Sequence, residues 1–202
     1  AMTVPRPVAW HVTRWCDDPY SQGAYSAMLP GGDVSLRRLL STPIDNRLFL
    51  AGEAFNHDHC AMTHSAWDSG IRAADAVAGT RARKVIVIGA GFAGLSAARA
   101  LQAQGLEVRV LEARNRIGGR VNSVALGDHT VDAGAAWLQH YALNPLARRA
   151  EQLGLERRPT DFSQPLAAAW DGPVPDINGA YERLKQAIDR HQPLAQGIDQ
   201  YL

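Results

Sequence analysis

Cysteine is scarce, net charge is nearly nil, and long apolar runs are missing from this 202-residue sequence. Its two cysteines, Cys16 and Cys60, build no disulfide framework and fit a reducing cytosol, so the cytoplasm is the expected compartment. A formal net charge of +1 argues against a nucleic-acid binder that relies on phosphate attraction. No stretch reaches the about 20 apolar residues of a membrane helix. Ala1-Met2-Thr3-Val4-Pro5 lacks the basic and apolar regions of a secretory signal. What remains is a globular composition, long enough for one domain, or one and a piece of another.

Glycine is where the sequence is informative. Val85-Ile86-Val87-Ile88 is β-rich and apolar, and Gly89-x-Gly91-x-x-Gly94 follows it, containing Phe92 and Ala93. An Ala-rich amphipathic run leads to a second strand, Val108-Arg109-Val110-Leu111, ending on Glu112. This spacing predicts a βαβ unit with a dinucleotide fingerprint. Gly89 allows the tight turn, Gly91 lets backbone approach a pyrophosphate, and Gly94 lets the helix sit close to the sheet. The helix N-terminus offers free N–H groups and a positive dipole end to phosphate. Glu112, about 20 residues on, is placed to accept ribose hydroxyls. The fold expected is α/β and Rossmann-like.

Elsewhere the punctuation predicts short elements. Residues 11–15 read as a short strand, 17–23 as turns, 34–40 as a brief helix and 47–51 as an apolar strand running into Gly52-Glu53. Ser65 to Ala78 reads as a helix whose inner stripe is Ala66, Ile71, Ala74 and Val77. The linker 79–83 is too short to separate domains, so the segments on either side are expected to share one sheet. Strands at 121–124 and 130–134 flank a turn at 127–129. Helices follow at 144–154, with Pro145 in the first turn and Gly154 at the end, and at 179–191, with loop between them. His57, His59 and His64 lie close in sequence. No further cysteine or acid cluster completes a ligand set, so no metal site is assigned. Ser21, Ser26 and Ser69 have no base in a recognisable arrangement, which argues against nucleophilic hydrolysis.

Residues 84–146 resemble the N-terminal part of the flavin-containing amine oxidases, the family of monoamine, polyamine and L-amino-acid oxidases. The matches are the fingerprint, Glu112-Ala113-Arg114-Asn115-Arg116-Ile117-Gly118-Gly119-Arg120, and Asp132-Ala133-Gly134-Ala135-Ala136-Trp137. Residues 12–78 resemble the same family's C-terminal part. Here Trp15 and Asp18-Pro19-Tyr20-Ser21-x-Gly23-x-Tyr25-Ser26 match the loop over the flavin ring, and Ala51-Gly52-Glu53-Ala54 matches the AGE strand end. His64-Ser65-Ala66 stands where most relatives have HGA. The C-terminal block comes first, so the resemblance implies a circular permutation. The large middle section of relatives is represented only by its beginning. The expected organisation is an FAD-binding domain of glutathione-reductase type over 1–146 (1–79 and 80–146 being the two blocks). A partial, largely helical substrate-domain segment spans 147–202.

The resemblance implies non-covalent FAD, because Ala24 stands where monoamine oxidases carry the cysteine that bonds the flavin. It implies cofactor contacts from Gly52, Glu53, Thr63, Gly89, Gly91, Phe92, Ala93, Gly94, Glu112, Ala113, Arg114, Gly118, Gly119, Arg120, Gly134, Ala135, Ala136 and Trp137. Arg114 and Arg120 would bring fixed charge to the pyrophosphate region. Tyr25 would be one wall of an aromatic cage for the amine. The second wall falls on Met62 or Thr63, neither aromatic. Gln139 stands where some plant polyamine oxidases place an acid, and a neutral amide cannot pair with an ammonium. The implied reaction passes hydride from the carbon beside an amine to flavin N5. Imine release and reoxidation by oxygen to peroxide follow. The lysine that positions a water near N5 in relatives belongs to the section not represented. Two readings therefore stand beside each other: an amine or amino acid oxidase, and an FAD-binding module completed by a partner chain or by self-assembly. An NAD-dependent dehydrogenase is a weaker third, opposed by the Arg114–Arg120 string and the AGE block.

Overall fold

The computed structural model describes residues 6–29, 32–33, 35–57 and 59–160, with 176, 179, 181–183 and 185–186. The fingerprint unit forms as its spacing predicts. Strand β1 (Lys84–Ile88) pairs in parallel with β2 (Glu107–Leu111), Val85 opposite Val108 and Val87 opposite Val110. The amide of Gly89 donates to the Leu111 carbonyl at 2.7 Å, extending the ladder into the turn. A parallel pair needs a crossover, and the helix Phe92–Ala103 supplies it. Before these strands come a short helix, α1 (Ser35–Leu40), and a long one, α2 (Thr63–Ala78); the crossover is α3. A two-stranded antiparallel hairpin follows, β3 (Ser123–Leu126) and β4 (His129–Asp132), turning at Gly127-Asp128. Then comes α4 (Pro145–Gln152), capped by the Asn144 side chain, which accepts from the Leu146 amide at 2.9 Å.

The core lies where α2 and α3 cross over the strand pair. Ala74, Val77 and Leu101 are its buried centre, with Phe49, Val85, Val87, Leu106 and Val108 packed on them. Small residues set the helix distance. A Cβ on Gly70 would stand 2.1 Å from both the Ala93 carbonyl oxygen and Ser96 Oγ. Ser96 donates across the same contact to the Trp67 carbonyl at 2.7 Å. The buried face of α2 is therefore more polar than the expected stripe. His64, Ser65, Ser69 and Gly70 join Ala74 and Val77 there, while Ala66 and Ile71 are only half-buried. Ser69 has a further use, because its hydroxyl accepts the Gly52 amide at 2.9 Å.

Three expectations are corrected. Residues 11–15 form no strand; Trp15 instead sends its indole Nε1–H to the Ala133 carbonyl, 3.1 Å away, tying the first block to the second. Residues 47–51 make only a single bridge, Leu48 to Ile44, because they lie across a gap from β1. The segments on either side of the 79–83 linker consequently share no sheet among the described residues, and helix packing joins them. The gap is a slot of about 1180 Å³ with 46–51 on one wall and β1 on the other. Ile86 and Ile88 on β1 are 64% and 85% exposed. Of the helix expected at 179–191, residues 179, 181–183 and 185–186 are helical, and the remainder lies outside the described residues.

Candidate functional site: a cleft between the two blocks

A cleft of about 410 Å³ opens at the C-terminal ends of β1 and β2, where α/β sheets place their ligands. One wall is the fingerprint turn. Gly89 has φ +99°, the turn that only glycine makes cheaply. A Cβ on Gly94 would lie 1.9 Å from the Gly89 carbonyl oxygen, so the close approach of helix to turn demands glycine. Gly91 differs: its φ is −80°, and a Cβ there would meet nothing nearer than 3.8 Å. Protein packing therefore leaves Gly91 free to carry a side chain. Gly91 also caps α3 without any side-chain hydrogen bond, so no side chain competes for the first-turn amides of Phe92, Ala93 and Gly94.

Glu112 ends β2 beside this turn. Its Oε2 accepts from the Ala90 amide at 2.6 Å and its Oε1 from the Arg114 amide at 2.9 Å. These backbone bonds, Arg114's first and Ala90's second, hold its carboxyl below the ordinary value. An ionised carboxylate has about four acceptor positions, so two remain for hydroxyls. The floor is the loop of Gly118 and Gly119, with φ +102° and +63°; the Gly118 amide donates to the Ala90 carbonyl at 2.8 Å.

The other wall comes from the first 66 residues, and one acid organises it. Glu53 is 6% exposed. Its Oε1 accepts from the Ser26 amide (2.9 Å) and Arg120 Nη1 (2.8 Å), and its Oε2 from Ser26 Oγ (2.6 Å) and the Ala61 amide (2.7 Å). Burial alone would raise this carboxyl, but the Ser26, Arg120 and Ala61 bonds and the Arg120 charge outweigh it and hold the group below its ordinary value. Arg37, buried on α1, donates to Ser26 Oγ and to the Ala54 carbonyl, both at 2.8 Å, and extends the network. Arg114 is held from the opposite side: its Nη2 pairs with Asp18, donates to Ser21 Oγ at 2.9 Å, and its guanidinium lies 5.1 Å from the Tyr20 ring centroid. Arg114 and Arg120 are thus fixed by residues of the first block, whereas Arg116 donates to the Ile117 and Gly119 carbonyls of its own loop.

Of the sequence-expected site residues, Gly52, Glu53, Thr63, Gly89, Gly91, Phe92, Ala93, Gly94, Glu112, Ala113, Arg114, Gly118, Gly119, Arg120, Ala135 and Tyr25 line the cleft. Gly134, Ala136 and Trp137 do not. Gly134 is needed for packing, since a Cβ there would sit 2.1 Å from the Arg120 carbonyl oxygen, and Trp137 is 58% exposed. Met62 and Tyr25 face the same opening, and Tyr25 is 67% exposed. The residues whose part in the site sequence reasoning missed are Ser26, which bonds Glu53 27 residues away, and Arg37, which bonds Ser26 11 residues away. No local pattern signals such pairs. Sequence proximity grouped His57 with His59 and His64; the structure instead brings His140 against the latter two.

A parallel βαβ unit with a glycine turn, an open helix N-terminus and an acid at the second strand end defines a Rossmann-like dinucleotide-binding unit. The chain belongs to the flavin containing amine oxidoreductase family, whose profile matches residues 2–78 and 92–201. FAD is that family's usual cofactor, and the residues present fit it: an acid with acceptor positions to spare, helix-start amides bonded to no side chain, and a glycine beside them that no protein contact requires. Among curated relatives, the chain is 52% identical over 77 residues to Polyamine oxidase 2 of Arabidopsis thaliana, covering 38% of this chain and 16% of that protein. It is 40% identical over 92 residues to a possible lysine-specific histone demethylase 1 of Drosophila melanogaster, covering 46% and 10%. Human lysine-specific histone demethylase 2 is 49% identical over 74 residues, covering 36% and 9%. The matches thus span well under a fifth of each of these relatives. No helix among the described residues is long and apolar enough to cross a membrane.

Proposed function

We propose that this chain is the FAD-holding part of an oxidoreductase acting on a small-molecule amine or amino acid, working in the cytoplasm. The observation that carries the reading is the Gly91 cradle: a glycine demanded by no protein contact, set between a free helix N-terminus and Glu112. Bound FAD would supply the acceptor for a hydride from the carbon beside the amine and would be reoxidised by oxygen with peroxide as product. The α3 amides would hold the pyrophosphate, Glu112 would accept ribose hydroxyls, and Glu53 would fix Arg120 rather than reach the ligand through a free oxygen. With Ala24 at the cleft and no cysteine lining it, the cofactor would be held non-covalently. Tyr25 would offer an aromatic wall to the substrate.

The two blocks are read as a circular permutation of the family order, supported by the C-terminal motifs standing at 12–78 and the fingerprint at 84–120. Residues 1–146 would form the FAD domain and 147–202 a partial substrate segment. A second reading has its own support. The outer edge of β1 pairs with no strand among the described residues and faces an open slot, and an unpaired edge is a template for pairing with another chain. That favours an FAD-binding module completed by a partner chain or by a second copy. The test is anaerobic mixing of the flavin-loaded chain with a panel of amines and amino acids. Bleaching of the visible flavin band by at least one of them is expected for the enzyme. No bleaching by any, with flavin still bound, leaves the module.

A further inference from the structure

Away from the cleft lining, three imidazoles meet. His59 comes from the loop before α2, His64 from the first turn of α2, and His140 from the turn before α4. Their ring centroids are 5.6 Å (59–64), 5.1 Å (59–140) and 6.1 Å (64–140) apart, and one ligand nitrogen from each lies within 4.8 Å of the others. We propose that His59, His64 and His140 form a binding site for a divalent transition-metal cation of the zinc class.

The site is anchored rather than incidental. His64 is 4% exposed, and its Nδ1 is buried with no hydrogen-bond partner. An unsatisfied buried imidazole nitrogen is uncommon and costly, and coordination through Nδ1 would satisfy it. His140 is held at φ +52°, in the left-handed region that a non-glycine residue visits only when its surroundings fix it. Asn144 helps fix it, donating from Nδ2 to the neighbouring Gln139 carbonyl at 2.9 Å. On the third side, Ala61, two residues after His59, has φ +66° and gives its amide to Glu53. Three neutral imidazoles with no carboxylate in the set suit zinc, copper or nickel and not magnesium or calcium. Tetrahedral zinc with bonds of about 2.0–2.1 Å needs nitrogens about 3.3 Å apart, a closure of at most about 1.5 Å from a spacing within 4.8 Å. Three protein ligands leave a fourth position open, and His140 is exposed, so the ion has a way in.

The test uses the full 202-residue chain, stripped with chelator and titrated with Zn²⁺ by calorimetry, then with Co²⁺ by visible absorption. Saturable uptake of one ion per chain and an intense tetrahedral Co²⁺ spectrum are expected. His140→Ala and His59→Gln should each weaken Zn²⁺ binding at least a hundredfold, while flavin binding is retained. His57→Ala, outside the trio, should leave Zn²⁺ affinity unchanged. Absence of stoichiometric binding, or equal weakening by His57→Ala and His140→Ala, overturns the proposal. Because flavin binding is read separately, failure here leaves the FAD reading standing, and loss of FAD binding leaves this one standing.

Discussion

Gly94→Ala is expected to be the most destabilising single change at the cleft. The added methyl would sit 1.9 Å from the Gly89 carbonyl oxygen and 3.2 Å from Val87 Cγ1. Its nearest obstacle is backbone, and that backbone is the turn whose next hydrogen bond, Gly89 to Leu111, closes the β1–β2 ladder. Neither side can yield without moving α3 off the sheet. Overpacking of this kind costs about 3 kcal/mol or more, set against a total stability of about 5–15 kcal/mol. For a chain of this size that corresponds to a fall in Tm on the order of 10 °C or to insolubility. Thermal unfolding by circular dichroism checks it. A variant that unfolds with the wild type would mean that helix and turn are not in the contact described.

Glu53→Gln should be the second most damaging change at the cleft. The carboxylate serves four donors with two oxygens, and an amide has only one oxygen to offer. Whichever way the amide turns, its NH₂ faces two groups that are themselves donors. The Ser26 hydroxyl can rotate to accept, but the Ser26 and Ala61 amides and Arg120 cannot. Leaving buried donors unmatched costs about 2–4 kcal/mol, with the Arg120 part reduced because its side chain is 35% exposed. The same acid confers a pH dependence. Its carboxyl is depressed below the ordinary 4.5, so the folded state binds its proton less readily than the unfolded chain. That contribution is fully present above pH 4.5 and is lost as pH falls through the depressed value. Wild-type Tm should therefore drop steeply below pH 4.5, and Glu53→Gln should flatten that drop. Asp18 and Glu112 are depressed as well, so part of the acid response should survive in the variant. Curves of identical shape would remove Glu53 from its central place.

What the sequence made legible was local. The spacing Gly89-x-Gly91-x-x-Gly94, the strands either side and Glu112 all lie within about one βαβ unit, where periodicity and turn chemistry suffice. The Pro145 start and Gly154 stop of α4 were readable for the same reason, with Pro145 at the first helical position and Gly154 at φ +64°; the Asn144 cap was not read from the sequence. Residues 47–51 misled because an apolar β-prone run says nothing about whether a neighbouring strand is within hydrogen-bonding reach. The face of α2 misled because burial there follows close approach to α3 at Gly70 and Ser96 rather than hydrophobicity. The network of Arg37, Ser26, Glu53 and Arg120 joins positions up to 94 residues apart along the chain (Ser26 to Arg120), and the meeting of His59 with His140 spans 81. Such pairings depend on the docking of one block on the other, which no window of sequence encodes.

Two alanines three residues apart test the central claim most directly. Gly94→Ala strikes the fold; Gly91→Ala meets no protein atom closer than 3.8 Å and should unfold like the wild type. If the cleft holds FAD against the fingerprint turn, titration of the wild-type chain should reach one flavin per chain, released unchanged on denaturation. Gly91→Ala should keep the fold and lose at least tenfold in FAD affinity, about 1.4 kcal/mol. Equal FAD affinity in wild type and Gly91→Ala, or a wild-type chain stabilised by NAD and not by FAD, would contradict the account.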